Sequence, residues 1–188
     1  MVIALVVFGV AAVLVLVAVV GWGVGAYNGL IALNNTLDQT WANIDVLLKQ
    51  RRDELTKLID TVKGVKEFEQ GTLTALTLAR TRAAGAQGTA SSVAAAGAES
   101  AAVRGFFAVA EAYPQLQSNK NFQDLQQRIS SLETQIADRR ETFNDAVNNF
   151  NTRIAQFPDS IFAGMLGYRR HGYYTVEEAD KADVTVRF

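Results

Sequence analysis

The sequence predicts an all-α protein in which one N-terminal transmembrane helix continues into an elongated antiparallel helical bundle with a short, irregular C-terminal tail. Two observations predict this class. Residues 1–27 carry no charge, and beyond them apolar residues recur at spacings of three and four, which place side chains on one face of a helix. We therefore divide the chain into an anchor (1–27), a long-helix bundle (28–158) and a tail (159–188).

The anchor is predicted from residues 1–27, whose side chains include no polar group outside the aromatic residues. A helix of this length without a polar face is not typical of a helix in water. At about 1.5 Å per residue it can cross a hydrocarbon core of about 30 Å with some tilt. We therefore expect this segment to have the lipid bilayer as its partner.

A cleavable signal peptide is the alternative, because Val24, Gly25 and Ala26 resemble a small-residue cleavage site. Against it, no Lys or Arg precedes the apolar run, and the run exceeds the usual signal core of about 7–15 residues. We expect a retained, single-pass anchor. Its orientation stays open, since the first basic residue is Lys49, although the short uncharged N-terminal end slightly favours a cytoplasmic bundle.

A glycine stripe lies near the end of the anchor, where Gly21, Gly25 and Gly29 recur every four residues. Such a stripe lets two helix backbones approach closely in lipid. Glycine is also simply frequent in transmembrane helices. We interpret these glycines as an anchor-packing surface, and we expect a homo-oligomer.

The first long helix of the bundle is predicted by apolar residues that recur every 3.5 residues on average over residues 37–76. This repeat is typical of helices that pack with left-handed supercoiling, as in coiled coils. No proline occurs in residues 1–112, so the predicted helix runs on to about Arg82. Gly64 and Gly71 each weaken it by about 1 kcal/mol relative to alanine.

The rest of the bundle follows an Ala-, Gly- and Ser-rich stretch that predicts a turn and then a smaller helix over residues 91–112, ended by Pro114. A second long helix is predicted over residues 119–157, with Ser118 or Asn119 as its N-cap and Pro158 after its end. In the tail, residues 161–166 predict a short amphipathic turn, and residues 184–188 alternate like a strand.

Three charged residues interrupt the apolar seams: Arg51 and Glu69 in the first long helix, and Arg139 in the second. An unpaired buried charge costs several kcal/mol, so each must meet an opposite charge or reach solvent. One hypothesis is a polar seam that fixes register and oligomeric state, with Glu69 and Arg139 as the pairing to test. The alternative is that these side chains extend to the bundle edge.

Aromatic and basic residues cluster at the start of the tail: Tyr168, Arg169, Arg170, Tyr173 and Tyr174. Tyrosine and arginine favour the headgroup layer of a bilayer, so this cluster is a candidate membrane interface. Packing on the bundle or on a neighbouring copy is an equally open alternative.

The chain lacks the residues and motifs of most common catalytic sites. It has no cysteine and one histidine, His171, which excludes thiol nucleophiles, thiolate metal sites and multi-histidine metal sites. No phosphate-binding glycine motif or zinc-protease motif occurs. A formal net charge of −1 argues against a nucleic-acid partner. We expect a non-enzymatic protein with no catalytic site, cofactor, metal or small-molecule substrate.

Several sequence blocks follow one another along nearly the whole chain, at residues 27–30, 50–64 with Glu69, 113–116, 121–126, 143–151, 157–158 and 167–168. Together they resemble the LemA family of bacterial membrane proteins. Where that family usually has a proline in the first long helix, this sequence has Thr56. The kink that a proline would impose is therefore not expected.

The resemblance implies a short N-terminal anchor, a mostly helical antiparallel bundle and no established enzymatic activity. Some members are implicated in forming or shaping intracellular membranes, and others lie near membrane metallopeptidases. We therefore expect a bacterial inner-membrane protein that self-assembles and organises or shapes the bilayer. The alternative is a tethered adaptor that presents its bundle to a membrane protein partner, such as a protease or envelope enzyme.

Overall fold

The computed structural model describes residues 1–65 and 68–175, and in these residues it contains helices and no strand. The all-α class is therefore confirmed for the described part of the chain. The predicted strand at residues 184–188 lies outside the described residues. The helices are α1 (Val2–Lys63), α2 (Gln70–Gly85), α3 (Thr89–Ala110), α4 (Pro114–Gln117), α5 (Lys120–Ala155) and α6 (Asp159–Met165).

The chain forms two compact units. The first unit contains residues 1–39, which include the first part of α1, and residues 145–171, which include the end of α5 and all of α6. The second unit contains residues 40–144 and the described residues from Gly172 onward. Helix α1 is one uninterrupted helix that supplies residues to both units.

The core of the second unit is built from apolar side chains of all five helices from α1 to α5 and from Phe68, which precedes α2. Five aromatic rings meet there, with centroid distances from 4.9 to 6.5 Å. Two contacts give the direction of the long helices: the Trp41 and Phe143 rings lie 5.6 Å apart, and Arg51 binds Glu133. Since the contacting residue on α5 has a lower number when the residue on α1 has a higher one, α1 and α5 are antiparallel. The five rings belong to Phe68, Phe106, Phe107, Tyr113 and Phe122.

The prediction of a first helix that reaches Arg82 is wrong, because α1 ends at Lys63 and α2 begins at Gln70. Gly64 follows the last helical residue, and the N–H of Phe68 donates to the carbonyl of Val65 in the turn. The turn brings Phe68 into the core, where its side chain is buried. Burying this large ring favours a break between α1 and α2.

The other predicted boundaries lie close to the observed ones. Asn119 precedes α5, and its side-chain oxygen accepts the N–H of Phe122 at 3.2 Å, as an N-cap does. Pro114 is the first residue of α4, and α5 ends at Ala155, shortly before Pro158. Helix α6 occupies the predicted amphipathic turn of the tail.

The packed part of the first unit begins on α1 at Ala26 and continues through Leu30 and Leu37, all of which are buried. On α5, Val147 and Phe150 are also completely buried. Within this unit, Gly29 of α1 lies near Arg153 of α5, and Gly23 of α1 lies near Phe162 of α6. A small protein core thus starts where the exposed part of α1 ends.

Candidate functional site

The N-terminal part of α1 exposes large apolar side chains almost without interruption over residues 1–24. No other part of residues 1–65 and 68–175 buries its most apolar stretch. Soluble proteins rarely expose contiguous apolar surface of this extent. By length and composition, α1 is a candidate membrane span, although a signal sequence near an N-terminus has the same character.

Helix α3 is also long and apolar enough to cross a membrane, but it is partly buried in the protein. It carries Glu99, whose side chain is completely buried and binds Arg51 of α1. A lipid-exposed helix does not place its acidic residue in a packed protein core. We therefore interpret α3 as a core helix of the second unit.

The glycine stripe is open on the surface of α1. A Cβ atom added at Gly21 or Gly25 would have no heavy atom within 4 Å. At Gly29 the added atom would lie 4.0 Å from Arg153 Nη2. The first two glycines are therefore available to another helix, and self-association through them stays a prediction.

A buried charge cluster joins α1, α3 and α5 around Arg51, whose side chain is completely buried. Its Nε and Nη2 donate to Glu99 Oε2 at 2.9 and 2.6 Å, and its Nη1 donates to Glu133 Oε1 at 2.7 Å. Nη1 also donates to the Ser100 hydroxyl at 2.7 Å, and Nη2 to the Ala96 carbonyl at 3.2 Å. One guanidinium group thus ties together three helices.

The two carboxylates of the cluster lie in different environments. The Glu99 side chain is inaccessible to solvent, whereas 33% of the Glu133 side chain is exposed. Glu99 Oε1 has no hydrogen-bond partner among the described residues. Burial raises the pKa of Glu99, and the opposing effect of the Arg51 charge is smaller. Glu99 is therefore the group of the cluster whose charge is least well compensated.

The cluster has a structural use because α3 offers little apolar area. Helix α3 is built largely from Ala, Gly and Ser, and its larger buried apolar side chains, Val103 and Phe106, lie in its C-terminal half. Near Ala96 and Glu99, the hydrogen bonds from Arg51 hold it in one register. A displaced α3 would leave Arg51 buried without its partners, which is costly.

The three charges that the sequence assigned to a polar seam differ in burial. Arg51 is buried, but Glu69 and Arg139 are both exposed. Glu69 precedes α2, and Arg139 lies on the exposed side of α5. The structure thus does not bring Glu69 and Arg139 into a buried layer, since neither is taken out of water. The real partners of Arg51, Glu99 and Glu133, were missed, although Glu99 is the single acidic residue in residues 83–110.

The aromatic and basic cluster of the tail is divided between the two units. In the first unit, the Tyr168 ring lies 5.4 Å from the Phe150 ring. The Asn151 side chain there exchanges two hydrogen bonds with the backbone of His171, both 2.9 Å long. Arg169 and Arg170 are exposed.

In the second unit, Tyr174 is 5% exposed, and the Asn144 side chain exchanges two hydrogen bonds with its backbone, at 2.7 and 3.0 Å. The Arg140 guanidinium carbon lies 4.6 Å from the centre of the Tyr174 ring. Burial raises the pKa of the Tyr174 hydroxyl. Tyr174 is thus packed on the protein, whereas 47% of Tyr173 is exposed. The asparagines that hold the tail were not found from the sequence.

Among residues 1–65 and 68–175, no group of three or more His, Cys, Asp or Glu side chains is arranged to hold a metal ion. The Arg51 guanidinium and Glu99 Oε2 pair α1 with α3, and the Glu99 side chain is inaccessible to solvent. The described residues thus form a helical protein with a buried charge cluster and an exposed apolar helix, and the exposed helix is the feature that indicates association with a membrane.

Comparison with known proteins agrees with this class. The sequence profile of the LemA family matches residues 40–188, and the chain belongs to the LemA family. Protein LemA of Metamycoplasma hominis is 26% identical over 162 residues, which cover 86% of this chain and 74% of that protein.

Two magnetosome proteins share a shorter region with this chain. Magnetosome protein MamQ 2 of Paramagnetospirillum magneticum is 32% identical over 72 residues, or 38% of this chain and 26% of that protein. Magnetosome protein MamQ of Magnetospirillum gryphiswaldense is 30% identical over 67 residues, or 36% of this chain and 25% of that protein. The matches thus span about a quarter of each magnetosome protein, and none of the three names denotes an enzyme.

Replacing Arg51 by methionine tests the buried charge cluster. The variant Arg51→Met leaves Glu99 buried without a cation, which is expected to lower the free energy of unfolding by about 3–5 kcal/mol. The double variant Arg51→Met/Glu99→Leu removes both charges and is expected to recover most of this loss. The measurement is denaturant unfolding of the full chain in detergent, followed by circular dichroism.

The matched control is Lys63→Met, which removes an exposed ion pair with Asp60. Such exposed pairs contribute at most about 1 kcal/mol. If Arg51→Met destabilised the protein no more than Lys63→Met does, the buried cluster would not hold the helices together.

The raised pKa of Glu99 predicts a pH dependence of stability. The folded protein binds a proton on Glu99 more tightly than the unfolded chain does, so protonation of Glu99 stabilises the fold. This stabilisation is complete at a pH below the ordinary carboxyl pKa of 4.5, and it is lost as the pH rises through the raised pKa. The free energy of unfolding of the wild type and of Glu99→Gln should be compared from a pH below 4.5 upward. The stability of the wild type relative to the variant is expected to fall with rising pH, and a constant difference would contradict the assignment.

Proposed function

We propose that this protein is a non-enzymatic, single-pass protein of the bacterial inner membrane whose anchored helical bundles self-assemble and organise or shape the bilayer. The observation that carries the proposal is the continuity of α1. Its first part exposes apolar side chains that lipid can cover, and its later part supplies completely buried core residues such as Ile44 and Leu55. The bundle is then linked to its retained anchor by helical backbone, with a weak preference for the cytoplasmic side.

The open glycines support self-assembly. Among the described residues, a Cβ atom added at Gly21 or Gly25 would have no heavy atom within 4 Å, so a second anchor can approach the backbone of α1 there. One anchor has little effect on a bilayer, but repeated copies in a symmetric assembly add their effects. This surface favours a homo-oligomer over an adaptor that acts as a monomer.

The pairing of the buried charges with each other supports the proposal that the protein is not an enzyme. Arg51 and Glu99 are committed to each other in the core and do not face a substrate cleft. The chain also has no cysteine and a single histidine. Relatives named as magnetosome proteins support a role at a membrane, over the 36–38% of this chain that they match.

Blocking the glycine stripe tests the proposal. The double variant Gly21→Leu/Gly25→Leu adds bulk to the stripe without a clash in its own chain, and leucine keeps the segment apolar and helical. The wild type is expected to give one homo-oligomer of defined mass in native mass spectrometry from mild detergent. The double variant is expected to give smaller species.

The control is Gly9→Leu, which adds the same bulk to the same apolar segment at an open position outside the stripe. It should assemble like the wild type. A wild-type monomer, or a double variant with unchanged mass, would contradict assembly through the anchors, and a monomer that co-purifies with another membrane protein would favour the adaptor.

A further inference from the structure

Three large apolar side chains at the start of the tail are exposed at spacings of four residues. Phe157 is 82% exposed, Ile161 55% and Met165 80%. Ile161 and Met165 lie on one face of α6, and Phe157 lies in the turn before it. A single exposed apolar residue needs no explanation, but a patch of three marks a contact surface.

The opposite face of α6 is fixed to the protein. Ala163 and Asp159 are buried, and Asp159 Oδ2 lies 3.1 Å from Arg153 Nε of α5. Gly167, with φ of 69°, ends the helix, and the N–H of Tyr168 donates to the Ala163 carbonyl at 2.9 Å. These contacts set the rotation of α6, so the patch faces outward as part of the folded first unit.

The depth of α6 follows from its contact with α1. The ring of Phe162 lies 6.1 Å from the ring of Trp22, and a Cβ atom on Gly23 would lie 3.5 Å from Phe162 Cζ. Trp22 lies about 30 Å along the helix from Val2, at about 1.5 Å per residue, which matches the thickness of a hydrocarbon core. Tryptophan is enriched at that boundary. Helix α6 is therefore at the level of the membrane surface.

We infer that α6 is an interfacial helix, whose apolar patch inserts into the boundary between headgroups and acyl chains beside the anchor. This inference rests on the proposed anchoring of α1 and deepens it by naming a second lipid contact. We assign the patch to the lipid surface because α6 contacts α1 at Trp22, between Val20 and Val24. These two valines are themselves 56% and 55% exposed. The exposed Arg169 and Arg170 follow α6 and suit anionic headgroups.

This assignment differs from a membrane contact made by the tail tyrosines. Tyr168 packs against Phe150, and Tyr174 is buried against the protein. Helix α6 offers apolar side chains that no part of the described chain covers. Inserted beside the anchor in one leaflet only, it gives each copy a means to act asymmetrically on the bilayer.

Single-cysteine labelling tests the inference directly, since the chain contains no cysteine of its own. Ile161→Cys and Met165→Cys, made one at a time in the full chain, carry an environment-sensitive nitrobenzoxadiazole label. The protein is placed in vesicles of phosphatidylcholine and phosphatidylglycerol that contain lipids spin-labelled at the headgroup or in mid-chain. Both positions are exposed, so neither substitution removes a packed side chain.

Labels at 161 and 165 are expected to fluoresce at shorter wavelength than in water and to be quenched more strongly by headgroup spin labels than by mid-chain ones. Val10→Cys is the control for an inserted position and should be quenched by the mid-chain labels. Glu111→Cys, at an exposed position of the second unit, is the aqueous control and should not be quenched.

Each other outcome overturns the inference in a distinguishable way. If 161 and 165 behaved like 111 while 10 was quenched, α6 would not be interfacial although the anchor would stand. If 161 and 165 were shielded from water but not quenched, a second copy or another protein would cover the patch. If 10 also was not quenched, the anchoring in the proposed function would fail together with the inference.

Discussion

The structure depends on the fact that water cannot favourably cover the first part of α1. From Val2, which is 72% exposed, to Val24, which is 55% exposed, this helix presents apolar side chains in all directions. Burial of such surface is worth about 25 cal/mol per Å², and no other part of the described chain supplies it. Lipid is the environment that can. Because the same helix then carries the buried Leu30 and Leu37, the point where exposed apolar surface gives way to protein contact is set within α1 itself.

A second constraint acts inside the bundle, where Arg51 requires partners. The small side chains of α3 would tolerate several registers, since alanine and glycine bury little area and interlock weakly. The hydrogen bonds of Arg51 to Glu99 and Ser100 are satisfied in one register, and the contact with Glu133 extends the same requirement to α5. The ionic cluster therefore contributes specificity more than net stability, as buried polar groups do in some helical assemblies.

The helices were predictable because their signals are local: apolar periodicity, the N-cap at Asn119 and the two prolines act within a few turns. The break after Lys63 was not, because it depends on the burial of Phe68 against Phe106 and Tyr113, far away in sequence. The partners of Arg51 lie 48 and 82 residues away, and periodicity cannot pair residues across such distances. Likewise, the packing of Tyr174 depends on Asn144, 30 residues away, so the sequence could not separate the buried Tyr174 from the exposed Tyr173.

The most direct test of the account is whether residues 1–27 remain on the protein and hold it in lipid. Membranes that contain the full chain should be extracted with alkaline carbonate, and the intact mass of the protein should then be measured in the pellet and in the supernatant. The account predicts that the protein stays in the pellet with a mass that includes these residues. Release into the supernatant of a chain that begins after Ala26 would contradict it, because a protein without its anchor has no continuous lipid contact through which to organise a bilayer.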